Sequence, residues 1–228
     1  MREPTVSSVM TTNVISIGPE TPFKEIVATL TGNGISAVPV IGPNSTLIGV
    51  VSEADVLPKQ EFHGGADPVP HGVPRRRTRW FRSLAFCAAE LMTTPVFTIG
   101  PGEPVTLAAR RMAEKKVRRL FVVDDDELVG VVSRRDVLGM FLRADDEILA
   151  DIRERVLRRE FGLDPAAAVH VDVRDGVATV DGELARRSEL DLITRLIQAV
   201  PGVVGVRSTL RYRTDDLEPT GMWTGFSP

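Results

Sequence analysis

Two short strings in this chain place a hydroxyl and a carboxylate three residues apart, each at the end of an apolar, β-branched run. They are Gly49-Val50-Val51-Ser52-Glu53-Ala54-Asp55 and Gly130-Val131-Val132-Ser133-Arg134-Arg135-Asp136. If the apolar run is a strand and the serine opens a helix, unpaired backbone N–H groups and the positive end of a helix dipole face outward and suit an anion. A serine hydroxyl can donate to phosphate. A first-turn carboxylate can accept from two vicinal ribose hydroxyls, a charge-assisted bond of ~1.5–3 kcal/mol. Ser52 and Ser133 serve equally well as plain N-caps, with Asp55 and Asp136 as reciprocal capping carboxylates, and spacing alone leaves both roles open.

Other reactive groups are sparse. The run Arg75-Arg76-Arg77-Thr78-Arg79-Trp80-Phe81-Arg82 holds five arginines beside two aromatics. It reads as a solvated stretch leading into a helix, as a source of cations for ligand phosphates in a neighbouring cleft, or as a grip for polyphosphate, RNA or an acidic surface. His63 and His71 lack a third metal ligand nearby. Asp124-Asp125-Asp126 reads as a solvated turn, and Asp151 and Glu154 as members of i,i+3/i+4 pairs with neighbouring arginines. Cys87, the single cysteine, excludes an intrachain disulfide and reads as part of a buried helical face. There is no Walker loop, no G-x-S-x-G elbow and no G-x-G-x-x-G, so the expectation is a protein that is not an enzyme and carries no metal.

The formal net charge is −3 over 228 residues, so no global positive field attracts nucleic acid or anionic lipid. Hydrophobic residues make up 43% against 26% charged, enough aliphatic surface for two folded domains. The start, Met1-Arg2-Glu3-Pro4-Thr5, lacks the apolar core of a secretory signal, and no apolar run approaches the ~18–20 residues of a membrane span. A reducing, cytoplasmic location is the expectation.

The two carboxylate strings belong to a longer internal repeat. Val9–Phe23 matches Leu91–Val105 at eight of fifteen positions with an offset of 82, and Leu47–Leu57 matches Leu128–Leu138 at eight of eleven with an offset of 81. Each copy reads the same way. An extended Val14–Ile17 or Val96–Ile99 runs into Gly-Pro. A helix starts near Thr21-Pro22 or Glu103-Pro104, with proline early in its first turn. Its apolar face is Ile26, Val27 and Leu30, or Leu107, Ala108 and Met112. Strands follow over Ala37–Ile41 and Leu47–Val51, or Leu120–Val123 and Leu128–Val132, before a second helix. The unit is β-α-β-β-α.

Doubled G-h-h-S-x-x-D motifs, each preceded by M-T-x-x-h-h-[ST]-h, resemble a pair of CBS domains over roughly residues 4–143. That resemblance implies one pseudo-symmetric module, commonly dimerising, whose cleft binds an adenosine-containing ligand: AMP, ADP or ATP, with S-adenosylmethionine ranked after them. It also implies the site residues. One site combines Arg118, Arg119, Ser133 and Asp136 with walls from Met10, Ile15, Ile35 and Val131. The other uses Ser52 and Asp55 with Met92, Phe97, Val117 and Val50, and only Arg118 to lend a cation. Ser36 stands opposite Arg118 in the first copy and joins the ligand-binding set. The arginines make the Asp136 site the expected tighter one for phosphorylated ligands.

From Asp145 the pattern changes. Ile148, Ile152, Val156 and Leu157 mark an amphipathic helix ending near Phe161-Gly162. Val169, Val171 and Val173 alternate into an Asp175-Gly176 hairpin turn, with Val173 opposite Ala178 and Val171 opposite Val180. Leu190, Ile193, Ile197 and Val200 form a second helix stopped by Pro201-Gly202, and a last strand runs about Val203–Tyr212. This α-β-β-α-β string, with V-x-V-x-x-G-x-x-x-V-x-G from Val171 to Gly182, resembles a BON domain, a family associated with membrane surfaces and stress protection. Residues 145–218 hold 16 acidic and 11 basic side chains, the wrong balance for an anionic bilayer.

The expected organisation is a first repeat over 1–57, an irregular Pro/Gly/Arg-rich linker over 58–83, a second repeat over 84–143, a BON-like domain over 145–213 and a loose tail over 214–228 carrying Trp223 and Phe226. The fold class is α/β for the paired repeats plus a small α+β domain. The leading expectation is a non-catalytic adenine-nucleotide sensor, homodimeric through the paired repeats, with the C-terminal module reporting to a protein partner or membrane surface. The competing one is a structural or stress-associated protein that binds nucleic acid through the arginine run, or a membrane surface through the BON-like domain; the net charge makes nucleic acid the weaker partner.

Overall fold

A computed structural model describes residues 3–163 and 169–217. The chain divides into two compact units, one over Thr5–Arg134 and the other from Arg135 onward. In the first unit, helix α1 (Phe23–Gly32) buries Ile26 and Leu30. Strand β1 (Ala37–Ile41) pairs antiparallel with β2 (Leu47–Ser52), Ala37 opposite Ser52. Ser52 then opens the four-residue helix α2 (Glu53–Val56). Expected strand Val14–Ile17 is reduced to one parallel bridge from Ile17 to Val40. Pro22 is the N-cap of α1 rather than a first-turn residue, and its ψ is extended, as an N-cap residue's backbone is not yet helical.

The segment 58–83, expected irregular from its proline and glycine content, is helical at both ends. Helix α3 (Pro58–Glu61) follows α2, and α4 (Pro74–Ser83) holds the whole arginine run with Pro74 in its first turn. Local ties order it. Trp80 Nε1 donates to Asp67 O at 2.8 Å, Arg79 pairs with Glu61, Phe62 is buried, and Lys59 lies over the rings of Phe23 and Phe86 at 4.8 and 5.0 Å. Composition reads the turns between these helices correctly and misses the tertiary contacts that fix them.

The second repeat follows with α5 (Ala88–Leu91), β3 (Thr98–Ile99), α6 (Val105–Glu114), β4 (Arg119–Asp124), β5 (Glu127–Ser133) and α7 (Arg134–Gly139). Its sheet runs β3-β4-β5, with β3 parallel and β5 antiparallel to β4. Cys87 stands just before α5 in extended conformation and is half-buried, so it is not on the helical face expected.

Each repeat is completed by the lead-in of the other. Val6 N and Ser7 N donate to Glu103 O and Pro101 O, while Ala88 N and Ala89 N donate to Thr21 O and Pro19 O. Thr11 exchanges both backbone bonds with Val131 at 2.9 Å, and Thr93 does so with Val50 at 2.8 and 3.2 Å. Every pair maps onto its twin by the 81- or 82-residue offset seen in the sequence, so the repeat is a structural two-fold. The first core shows the exchange in its packing: Ile17, Ile26, Leu30, Val38, Val40 and Val51 close around Ala85, Ala88 and Leu91 from the second lead-in. Two glycines make the crossing possible. A Cβ on Gly49 would collide with Met92, and one on Gly130 would meet Met10 Sδ at 2.7 Å and Thr11 O at 3.2 Å.

In the second unit, helix α8 (Asp145–Asp151) continues as a π-helical stretch over Ile152–Glu160. Strands β6 (Val169–Arg174) and β7 (Val177–Arg186) form the expected hairpin, with Val173 opposite Ala178 and Val171 opposite Val180. Asp175 and Gly176 both take positive φ, and the Asp145 carboxylate accepts both of their N–H groups at 2.8 Å. Helix α9 (Ser188–Gln198) buries Ile193 and Ile197. The single last strand expected is two, β8 (Gly205–Ser208) and β9 (Arg211–Thr214), both parallel to β7. They part where Thr209 N turns onto Val180 O at 2.9 Å and Gly182 of β7 takes a φ of 135°. The beginning of the expected loose tail is tied down: Asp216 accepts from Ser188 N at 3.0 Å and Ser188 Oγ at 2.6 Å, capping α9. Trp223 and Phe226 lie outside the described residues.

Candidate functional site

In the first unit a cleft of about 430 Å³ opens where β1 and β2 face the residues leading into β3 and β4. That volume falls in the ~300–1,000 Å³ range of small-molecule sites. Its apolar wall is Ala37, Val50, Val96, Phe97, Val117 and Phe121; its polar wall is Ser36, Ser52, Glu53, Asp55, Thr93, Arg118 and Arg119. Of the residues assigned by sequence to the Asp55 site, Val50, Ser52, Asp55, Phe97, Val117 and Arg118 meet here. Met92 instead packs over Gly49.

Arg119, assigned by sequence to the other site, also lines this cleft. It crosses to the first repeat, donating from Nη1 to Ala37 O at 3.2 Å and from Nη2 to Ser36 Oγ. Arg118 is exposed, with its carbonyl accepting from Arg134 N at 3.0 Å. The rim is therefore cationic on the second-repeat side and acidic at Glu53 and Asp55.

The helix-terminus anion site expected from the motif is not built. Helix α2 is a single turn, and the N–H groups at its start already have acceptors. Ser52 N donates to Asp55 Oδ2 at 2.8 Å, and Glu53 N to Ser36 O at 3.2 Å. The twin bond in the second repeat is Arg134 N to Arg118 O. Each strand-to-helix turn is thus tied to the residue that leads into the neighbouring antiparallel strand, which leaves anion recognition in this cleft to side-chain cations.

Asp55 is buried, 5% exposed. Ser52 N and Ser52 Oγ donate to its Oδ2 at 2.8 and 2.6 Å; Thr93 Oγ1 donates to Oδ1 at 3.3 Å. The fourth donor is Arg82 of α4, whose Nη1 pairs with Oδ1 while Nη2 donates to Thr93 Oγ1 at 2.9 Å. Sequence reasoning misses both partners. Thr93 carries a signal, since Met-Thr-Thr recurs at 10–12 and 92–94. Arg82 carries none beyond the general one of its run, because the insert has no counterpart at the end of the second repeat to compare with.

The residues assigned to the Asp136 site fall as follows. Met10 packs on Gly130, and Val131 pairs with Thr11. Ile35 packs against the first core, and Ile15 is exposed. Ser133 ends β5, and Asp136 lies half-buried in the first turn of α7. Among the described residues no three His, Cys, Asp or Glu side chains group as a metal site. No described helix is long and apolar enough to cross a membrane.

Comparison with known proteins decides the family. The CBS domain model matches residues 6–60 and 88–143, and the BON domain model matches 144–214. The chain carries a CBS domain pair followed by a BON domain. Both are binding and regulatory modules rather than catalytic ones. The CBS pair resembles the crystal structure of CBSX2 in complex with AMP: 30% identity and a TM-score of 0.52, covering 60% of this chain and 96% of that one. The full CBSX2 protein of Arabidopsis thaliana, a chloroplastic CBS domain-containing protein, is 28% identical over 146 residues, or 59% of this chain and 61% of that protein. A Methanopyrus kandleri protein, MK0525, is 27% identical over 158 residues, 68% of this chain and 70% of its own length.

Proposed function

We propose that the CBS pair is an adenine-nucleotide sensor, taking AMP, ADP or ATP in the cleft between its repeats, and that the BON domain passes the occupancy on. The observation that carries this reading is the cleft itself. Its apolar lining by Val50, Phe97, Val117 and Phe121 supports a purine as occupant, and the presence of Arg118 and Arg119 in the same lining supports a phosphate beside it. The likeness to CBSX2, solved with AMP, supports the ligand class. S-adenosylmethionine, a cation, fits the arginine-bearing rim less well.

For sensing, the ligand must bind two arrangements of the protein with different affinity, since equal affinity shifts nothing. The arrangements proposed are those of the two repeats, or of two copies of the CBS pair in a homodimer, with a protein partner or membrane surface reading them through the BON domain in the cytoplasm. The competing nucleic-acid reading is not favoured. Within the arginine run Arg79 holds Glu61, Arg82 holds Asp55, and Arg77 lies over Phe81 at 5.8 Å. The charge balance of 145–218 likewise argues against an anionic bilayer as the surface read. Mass spectrometry of small molecules released by denaturing the purified protein tests the ligand class. Adenylates at a sizeable fraction of the protein are expected. Their absence, together with no rise in melting temperature at millimolar AMP, ADP or ATP, contradicts the reading.

A further inference from the structure

We infer that Arg82 is an internal competitor for Asp55, and that it makes this cleft select ligands that bring their own negative charge. The inference rests on the nucleotide reading above and specifies which adenosine compounds the Asp55 cleft accepts.

A carboxylate has about four lone-pair sites. At Asp55 four donors fill them: Ser52 N, Ser52 Oγ, Thr93 Oγ1 and Arg82 Nη1. Vicinal ribose hydroxyls gain this carboxylate only by displacing a donor. The two serine bonds close the turn that starts α2 and are part of the fold. The donors on Oδ1 are the ones that can leave, and of these Arg82 comes from an insert that one repeat has and the other lacks.

Displacing Arg82 is asymmetric between ligands. Its side chain is about a quarter exposed, whereas that of Asp55 is 6% exposed, so the guanidinium has solvent to turn into while the carboxylate has almost none. A nucleoside without phosphate takes Asp55 and leaves Arg82 with no anion. A nucleotide offers a second anion to the cation it displaces, beside Arg118 and Arg119. Removing a partner from a buried ion pair is costly because the remaining charge is left uncompensated, and the phosphate removes that cost.

The test compares adenosine and AMP bound per full-length chain, by equilibrium dialysis at fixed subsaturating concentration, for the unaltered protein, Arg82→Gln and Arg82→Lys. Arg82→Gln is expected to raise adenosine binding several-fold and to change AMP binding much less, so that the AMP-to-adenosine preference falls several-fold. Arg82→Lys, which keeps the charge with a weaker hold on the carboxylate, is expected to lie between and to stay folded if Arg82→Gln does not. Adenosine binding that is unchanged or weaker in both variants makes Arg82 a tether for the insert or a ligand contact, and overturns the inference. Binding of neither compound by any of the three proteins sinks the nucleotide reading itself, and with it this inference.

Discussion

The two G-V-V-S-x-x-D motifs share their serine, their aspartate and their place between a strand and a helix, yet their aspartates meet different surroundings. Asp55 is buried beneath an inserted helix, and its four acceptor sites are filled. Asp136 is half-buried in the first turn of a helix whose repeat has no such insert. The motif fixes the capping geometry. What the carboxylate can do for a ligand is set by the chain brought over it from elsewhere, a lesson that a one-dimensional motif match does not carry.

The largest expected effect separates the two aspartates by stability. Asp55→Ala removes the acceptor of a largely buried arginine, a threonine hydrogen bond and a capping box, and should cost about 2–4 kcal/mol. Asp136→Ala should cost under about 1 kcal/mol, the usual range for losing a cap on a less buried helix. Chemical denaturation of both variants measures the gap; equal losses would break the comparison.

The crossing points offer the next test. Gly49→Ala drives a methyl group into Met92, including its Cβ at 2.9 Å, whereas Gly130→Ala first meets the far end of Met10. The first should lose about 2 kcal/mol and the second about 1 kcal/mol, within the range for overpacked sites. Met92→Ala should recover part of the first loss in the double variant, which a double-mutant cycle will show.

Ligand affinity sharpens the comparison further. Arg118 and Arg119, expected to favour the Asp136 site, both line the Asp55 cleft instead, so Asp55→Ala should weaken AMP binding about tenfold more than Asp136→Ala, a difference of about 1.4 kcal/mol. Calorimetry on the two purified variants gives the ranking, and the reverse order would contradict it.

The smallest effect concerns a capping carboxylate with no burial. The hydrogen bonds from Ser188 Oγ and Ser188 N hold the Asp216 carboxyl below its ordinary value of 3.8. A depressed carboxylate contributes stability above its unfolded pKa and loses it as pH falls through the folded one. The melting temperatures of the unaltered protein and Asp216→Asn should therefore differ above the ordinary carboxylate value of 3.8 and converge as pH falls below it through the depressed folded-state value. A gap constant across that range would remove Asp216 as the cause.

Much of this was legible in the sequence because repetition supplies its own control. The 81- and 82-residue offsets identify the two repeats and their equivalent elements, and the Asp175-Gly176 turn predicts the register of the BON hairpin through the left-handed conformation it requires. The crossing of lead-ins was not legible, since Ala85, Ala88 and Leu91 are apolar in either repeat's core. Arg119 was assigned by its neighbours in sequence to Asp136, but its long side chain crosses the pseudo-two-fold to Ser36 and Ala37. The order in the insert escaped for another reason. Its anchors, Trp80 to Asp67, Lys59 over two phenylalanines and Arg82 to Asp55, are tertiary contacts without periodicity.

Titration calorimetry of the full-length chain with AMP and with adenosine, before and after Arg118→Gln, tests the central claim most directly. Arg118 lines the cleft without holding the fold through its side chain in any bond described above. Saturable AMP binding that weakens tenfold or more in the variant, with adenosine affinity unaltered, is the result expected of a phosphate-reading cleft. No saturable heat with AMP, ADP or ATP, or an AMP affinity indifferent to Arg118, would contradict it.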